Sequence, residues 1–267
     1  MAAGVDARRE AIAEALTAAT GIGRLYERSD AASRQREGLP SREGALRGAP
    51  PIEPVIIRED GVIYQVDVLR GHKTGFYIDQ RDNRRLLASL AAGRRVLNCF
   101  CYTGGFSLAA LQAGAAEAWS IDSSAEALAV ARAQQALNQI ESPAHWIQAD
   151  VFDALKQFAA ERRQFDLIVL DPPKFAPSVQ HLDRATRAYK QLSLAALRLL
   201  APGGRLLTFS CSGAVSVDLF QKVVAGAVID ARVDAQMLAR LAAGEDHPVS
   251  MTHPEGEYLK GLLLGRL

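Results

Sequence analysis

From Gly93 onward the chain alternates short apolar segments with stretches of helical spacing, and this alternation limits the fold more than any other feature. Residues 95–100, 118–121, 145–149, 165–170 and 205–210 read as strands, and the segments between them carry helical periodicity. Short strands that are apolar throughout, each followed by a helix, call for a parallel sheet covered on both faces. Ser123, with Glu126 three residues later, reads as a capping box after the second strand. Pro202-Gly203-Gly204 marks a turn into the strand at 205, and residues 258–267 are apolar enough for a last strand.

Upstream the texture differs. Residues 6–19 read as an amphipathic helix, with Ile12, Leu16 and several alanines on one side. Residues 21–54 break into Arg, Glu, Gly and Pro, the pattern of a connector. Residues 55–57 and 63–69 read as two strands joined at Asp60-Gly61, and residues 75–78 lead into a helix at about 81–91. The expected organisation is a helix and connector over 1–52, a small α/β subdomain over 53–92, and an open parallel sheet over 93–267 of the 267 residues.

Composition narrows the function classes. No apolar run approaches the ~18 residues of a membrane span, and Asp6, Arg8, Arg9 and Glu10 crowd the first ten residues, against the pattern of a signal peptide. The expectation is a soluble, cytoplasmic protein. Cys99, Cys101 and Cys211 are too few and too unevenly placed for a disulfide framework or a metal site, so reduced thiols and no metal are expected. The net charge of +1 hides one basic stretch: residues 70–95 hold seven basic and two acidic side chains. That stretch suits phosphate contact or, equally, a solvated face with local ion pairs.

In an open parallel sheet, ligands bind beyond the carboxyl ends of the strands, so the loop after each strand is the place to look for chemistry. The first such loop, Asn98-Cys99-Phe100-Cys101-Tyr102-Thr103-Gly104-Gly105-Phe106, has adjacent glycines that permit close backbone approach at a helix start. It lacks the third glycine of nicotinamide-binding loops. Asp122, eighteen residues after Gly104, stands where a carboxylate can accept both hydroxyls of an adenosine ribose. Asp150 ends the next strand, where it can take the exocyclic amine of adenine or serve as an ordinary N-cap. Asp171-Pro172-Pro173-Lys174-Phe175 presents polar groups on a stiffened backbone. Thr208-Phe209-Ser210-Cys211-Ser212 puts a nucleophilic side chain at the end of the strand after it. Cys99 reads as sheet packing, and His72 and His247 suit structural hydrogen bonds as well as chemistry.

Read together, these residues resemble the ribosomal RNA large subunit methyltransferase I family, which forms 5-methylcytidine. The resemblance rests on Leu25-Tyr26-Glu27-Arg28-Ser29-Asp30 with Glu37-Gly38, on Gly71-His72-Lys73-Thr74-Gly75 running into Asp79-Gln80-Arg81, and on residues 97–106. Residues 171–175, 209–213, Asp246-His247-Pro248 and Tyr258-Leu259-Lys260-Gly261 extend it over nearly the whole chain. It implies a Rossmann-like class I methyltransferase with a mostly parallel seven-stranded sheet and a small N-terminal α/β subdomain. The implied cofactor is S-adenosyl-L-methionine, and the implied partner is large-subunit ribosomal RNA, with a homodimer left open. The residues expected to hold the cofactor are Lys73, Thr74, Tyr77, Asp79, Gln80, Arg84, Asn98, Phe100, Thr103, Gly104, Gly105, Asp122, Ser123, Asn138, Asp150, Val151 and Asp171. Other members carry a PUA-type RNA-binding domain ahead of this region. The chain begins at the helix that follows it, as a fragment would, or a member without that domain.

The resemblance implies Cys211 as nucleophile, with Asp171 and Lys174 beside the target ring. Carbon 5 of cytosine is a poor nucleophile, and thiolate addition at carbon 6 makes it reactive. Two alternatives use the same fold: methyl transfer to a guanine nitrogen or an exocyclic amine, which needs no thiol, and a non-catalytic RNA factor that binds the cofactor.

Overall fold

The computed structural model describes residues 2–29, 32–71, 74–176 and 178–267. The chain divides into two compact units, one of residues 1–56 and 66–76, the other of residues 57–65 and 77–267.

The first unit opens with helices α1 (Ala2–Asp6) and α2 (Arg9–Thr20), the latter ending at Gly21 in the left-handed region. The segment expected to be a connector contains an antiparallel pair, β1 (Leu25–Ser29) and β2 (Arg42–Arg47), linked through α3 (Ala32–Arg36). Its strands lack an apolar alternation because none of their residues is fully buried, which is why hydrophobic patterning passes over them. Arg34, 6% exposed, is held by Asp6 at 2.8 Å, and that guanidinium keeps the Asp6 carboxyl below its ordinary range.

Strands β3 (Val55–Glu59) and β4 (Val62–Val66) pair as the expected hairpin. Asp60 (φ 47°) and Gly61 (φ 85°) both adopt the left-handed conformation that a two-residue turn requires. The tip of this hairpin belongs to the second unit, where Asn138 accepts from the Ile63 N–H at 2.7 Å and donates to the Ile63 carbonyl at 2.7 Å.

The second unit is a seven-stranded sheet with helices on both faces. In chain order it contains α4 (Arg81–Ser89), β5 (Arg95–Cys99), α5 (Gly105–Gln112), β6 (Glu117–Asp122), α6 (Ala125–Leu137), β7 (Ala144–Gln148), α7 (Val151–Ala160) and β8 (Phe165–Leu170). It continues with α8 (Leu182–Leu199), β9 (Leu200–Ser210), α9 (Val217–Ala231), β10 (Ala235–Leu241) and β11 (Lys260–Arg266). The spatial order is β10-β11-β9-β8-β5-β6-β7, parallel from β9 to β7, with β11 antiparallel to both neighbours. The chain winds outward through β5, β6 and β7 and returns to β8 on the other side of β5, so the order reverses between β5 and β8.

Alternate residues serve opposite cores. Leu97, Cys99, Ile168, Leu170 and Leu206 join the cluster that includes residues of α7, α8 and α9. Val96, Leu167, Val169, Leu207 and Phe209 join the cluster that includes residues of α4 and α5. That two-sided burial is the reason these strands read as unbroken apolar runs. The turn expected at Pro202-Gly203-Gly204 is an excursion within β9, which pairs with β8 at Leu200, steps out, and pairs again from Arg205. The cap of α6 is a correction: Ser124, not Ser123, accepts the Ala127 N–H, and Ser123 is exposed. Strand β10 had no sequence signal, since its residues are half-buried or exposed at the sheet edge. Among the described residues, no helix is long and apolar enough to cross a membrane.

Candidate active site at the carboxyl ends of the strands

The loop after β5 is tightly curled. Phe100 (φ 62°), Tyr102 (φ 49°) and Gly104 (φ 84°) all lie in the left-handed region, which costs the two aromatic residues about 1–2 kcal/mol each. The loop is pinned where that cost arises. Cys101 N–H donates to the Ile121 carbonyl at 2.9 Å, and Tyr102 N–H donates to Asp122 Oδ2 at 2.8 Å. A side chain at Gly104 would strike the Trp146 ring, 2.7 Å from the nearest ring carbon, so only glycine fits there. The Thr103 carbonyl accepts from Gln134 at 2.8 Å, and the Gly105 carbonyl from Tyr64 at 3.3 Å.

Asp122 is the hinge between two strand ends: its other oxygen, Oδ1, accepts the Ser124 N–H at 2.9 Å. It is half-buried, as a carboxylate must be if it is both anchored and able to meet a ligand. Asp150 caps α7, with Oδ1 accepting from Phe152 at 2.8 Å and Asp153 at 3.2 Å. Val151 beside it is a core residue, 3% exposed, so its side chain serves packing. Asn98 is 1% exposed and donates to Ser107 at 2.8 Å, while its Oδ1 is buried without a hydrogen-bond partner.

On the other side of the strand-order reversal, the loops after β8 and β9 converge. The thiol of Cys211 lies 3.9 Å from the Pro172 carbonyl oxygen. Cys211 is partly exposed, whereas Cys99 and Cys101 are buried and their thiols are pushed far up by desolvation. Asp171 is half-buried and Lys174 exposed. Ser212 ties the two loops together: its hydroxyl accepts the Ala176 N–H at 3.1 Å and meets the Tyr189 hydroxyl at 3.0 Å. Tyr189 also accepts from the Ser210 hydroxyl at 2.9 Å.

Asp79 and Tyr77 approach the same place from the segment before α4. The Tyr258 hydroxyl donates to Asp79 Oδ2 at 2.6 Å, and Asp79 Oδ1 is buried without a partner. The Tyr77 hydroxyl is pushed up by burial first, then by the charges of Asp171, Tyr102, Cys211 and Asp79, which places all four within electrostatic reach of one ring. Gln80 is 2% exposed, with Nε2 unpartnered.

Two expected cofactor residues make hydrogen bonds within the fold. Arg84 gives its guanidinium to Glu59, at 2.6 Å and 2.8 Å, and to the Tyr77 carbonyl at 2.8 Å. Asn138 spends its amide on β4 and on the Gln134 carbonyl. Thr74 lies in the first unit and donates to the Phe76 carbonyl at 3.2 Å. Lys73 and His72 lie outside the described residues, and His247 pairs with Asp246 at 3.0 Å. The basic stretch is largely committed to ion pairs: Arg81 with Asp82 and Asp246, Arg85 with Asp60, and Arg95 with Asp166. Sequence reasoning gave no role to Tyr189, and it quoted Ser212 and Lys260 only within the segments 208–212 and Tyr258-Leu259-Lys260-Gly261, without a part of their own.

The residues present suit S-adenosylmethionine. The buried, unpartnered oxygen of Asp79 requires a donor such as an ammonium, because a desolvated carboxylate oxygen without one is costly. Asp122 and Asp150 offer acceptors at successive strand ends for the hydroxyls and amine of an adenosine.

The family model described as S-adenosylmethionine-dependent methyltransferase matches residues 10–243. Ribosomal RNA large subunit methyltransferase I of Aeromonas salmonicida (strain A449) is 49% identical over 265 residues, which are 99% of this chain and 67% of the relative. The protein of the same name from Shewanella denitrificans is 52% identical over 240 residues, 90% of this chain and 60% of the relative. Among solved structures, a protein described as a SAM-dependent methyltransferase from Streptococcus mutans superposes with a TM-score of 0.84 at 26% identity, over 98% of this chain and 66% of its own. A second, a methyltransferase complexed with SAH, superposes with a TM-score of 0.75 at 28% identity, over 84% of this chain and 58% of its own. By sequence and by fold, the chain belongs to the ribosomal RNA large subunit methyltransferase I family of S-adenosylmethionine-dependent methyltransferases.

Proposed function

We propose that the chain methylates carbon 5 of a cytosine in large-subunit ribosomal RNA, through a covalent adduct with Cys211. The observation that carries the reading is the thiol of Cys211 against the Pro172 carbonyl, partly exposed, in the loop next to Asp171. The relatives' names supply the substrate class, and the chain spans about two thirds of their length.

Bound S-adenosylmethionine supplies an electrophilic methyl carbon. Asp122 takes the ribose hydroxyls, Asp150 the adenine amine, and Asp79 a donor at its buried oxygen, with the glycine loop and Tyr77 completing the walls. Cys211 adds as thiolate to carbon 6, and the electron pair of the 5,6 double bond makes carbon 5 nucleophilic. Asp171 accepts from the exocyclic amine and so orients the ring, while N3, where negative charge develops on thiolate addition, takes up a proton from solvent. Lys174, exposed at the rim, neutralises the base carbonyl or a phosphate. When carbon 5 later gives up its proton to a base, the carbon 6–sulfur bond breaks and the Cys211 thiolate is restored. The cytosine must be unstacked for a thiol to approach its ring face.

RNA containing 5-fluorocytosine tests the reading, because fluorine at carbon 5 cannot leave as a proton and the adduct is trapped. A denaturation-resistant protein–RNA band linked through Cys211 is expected. Methylated product from the ordinary RNA with no trapped band would overturn the covalent route. Mapping 5-methylcytidine in ribosomal RNA from cells with and without the protein identifies the nucleotide, and unchanged maps would overturn the substrate.

A further inference from the structure

We infer that Lys260 is a positioning residue for Cys211: its buried ammonium clamps the loop that carries the thiol and supplies the positive charge that favours the thiolate. The inference deepens the reading of Cys211 as nucleophile and rests on it.

The geometry comes from the pairing of β11 with β9. Lys260 faces Ser210 across that antiparallel ladder, one residue before the cysteine. It is 5% exposed and begins a strand whose next residues, Gly261 to Leu264, are all buried. Its ammonium donates to the Ser212 carbonyl at 2.9 Å, one residue after the cysteine. Ser212 in turn fixes Ala176 and Tyr189, so the lysine closes a network that spans the loops of both proposed catalytic side chains.

A buried lysine is expensive unless something charged or strongly polar answers it. One carbonyl is a partial answer. Burial draws the Lys260 amine below its ordinary range, the thiolate of Cys211 and the carboxylate of Glu257 pull it back up, and Lys174 opposes them.

The thiol needs such help. Among the described residues, the titratable groups that sense the Cys211 charge include Tyr77 before α4, Tyr189 on α8, Tyr258 just before β11 and Lys260 at its start, with Lys174 acting on the same lysine. Tyr77 also senses Asp79 and Asp171, and Tyr258 is bonded to Asp79. The three tyrosines are neutral where a thiol ionises and add no charge, whereas the carboxylates of Asp79 and Asp171, which act on the same Tyr77 ring as the thiol, disfavour its ionisation. Among the described residues, Lys260 is a buried cation whose ammonium is bonded one residue from the thiol, and an ammonium of this kind lowers a neighbouring thiol.

The test is the pH profile of Cys211 alkylation by iodoacetamide, read by mass spectrometry on the peptide, for the parent protein, Lys260→Met and Lys260→Arg. Methionine keeps the bulk without the charge, and arginine keeps the charge. The midpoint should rise by about one pH unit in K260M and return most of the way in K260R. Equal midpoints in parent and K260M would overturn the inference. If K260M does not fold, the reciprocal measurement decides. The Lys260 ammonium, followed by heteronuclear NMR, should titrate at lower pH in Cys211→Ser than in the parent, and identical titration would overturn the coupling. Failure of the nucleophile reading is distinguishable: it would appear as methyl transfer surviving Cys211→Ala, with the alkylation shift intact.

Discussion

Cys211 Sγ and the Pro172 carbonyl oxygen stand 3.9 Å apart although 39 residues separate them in the chain. The contact exists because β8 and β9 are parallel neighbours whose carboxyl ends open on the same edge of the sheet. Two loops that mean little separately thereby become one candidate site beside the strand-order reversal.

Replacing Cys211 by alanine should abolish methyl transfer while leaving cofactor affinity within about twofold, since uniform binding does not depend on the nucleophile. Transfer of labelled methyl groups to RNA and calorimetry with S-adenosylmethionine measure the two quantities. Retained transfer would remove the covalent scheme.

Asp122→Ala should act in the opposite order. Charged hydrogen bonds to a ligand contribute about 1.5–3 kcal/mol, so cofactor affinity should fall about tenfold to a hundredfold. Because Asp122 also anchors Tyr102 and Ser124, Asp122→Asn, which keeps one acceptor, should restore part of the loss. An unaltered dissociation constant in both variants would contradict the ribose assignment.

At Asp150 two roles can be separated by choice of substitution. Alanine removes the cap of α7, costing about 1 kcal/mol and lowering Tm by about 2–4 °C. Serine restores the cap but not the carboxylate, so Asp150→Ser should recover Tm while cofactor affinity stays reduced. Affinity equal to the parent's in the serine variant would leave the residue purely a cap.

The Glu59–Arg84 pair should behave as structure rather than as cofactor binding. Its side chains are 4% (Arg84) and 12% (Glu59) exposed, and removing one partner strands a buried charge. Glu59→Ala should cost about 3–5 kcal/mol in urea unfolding. Calorimetry on the folded variant should give parental affinity, and a selective loss of binding with stability intact would return Arg84 to the cofactor site.

The central strands β5, β8 and β9 were legible because they pack on both faces and carry mostly apolar runs, whereas β7, at the sheet edge, was legible only from its place in the alternation with helices. The pair β1–β2 and the edge strand β10 were not, since strands without a fully buried face carry no hydrophobic pattern. Among site residues, Gly104, Asp122, Asp171 and Cys211 stand in loops after strands and are visible from order along the chain. The hydrogen bonds of Arg84 to Glu59 and of Asn138 to Ile63 were not legible, because position along the chain says nothing of the partner each side chain finds. The sequence by itself determined the parallel layered fold and the strand ends at which chemistry gathers, because periodic burial and loop composition are local properties. Only the tertiary structure decided that Lys260 lies across the ladder from Ser210, fifty residues away along the chain and next to Cys211. Register between antiparallel strands is set by packing over the whole sheet and leaves no local trace.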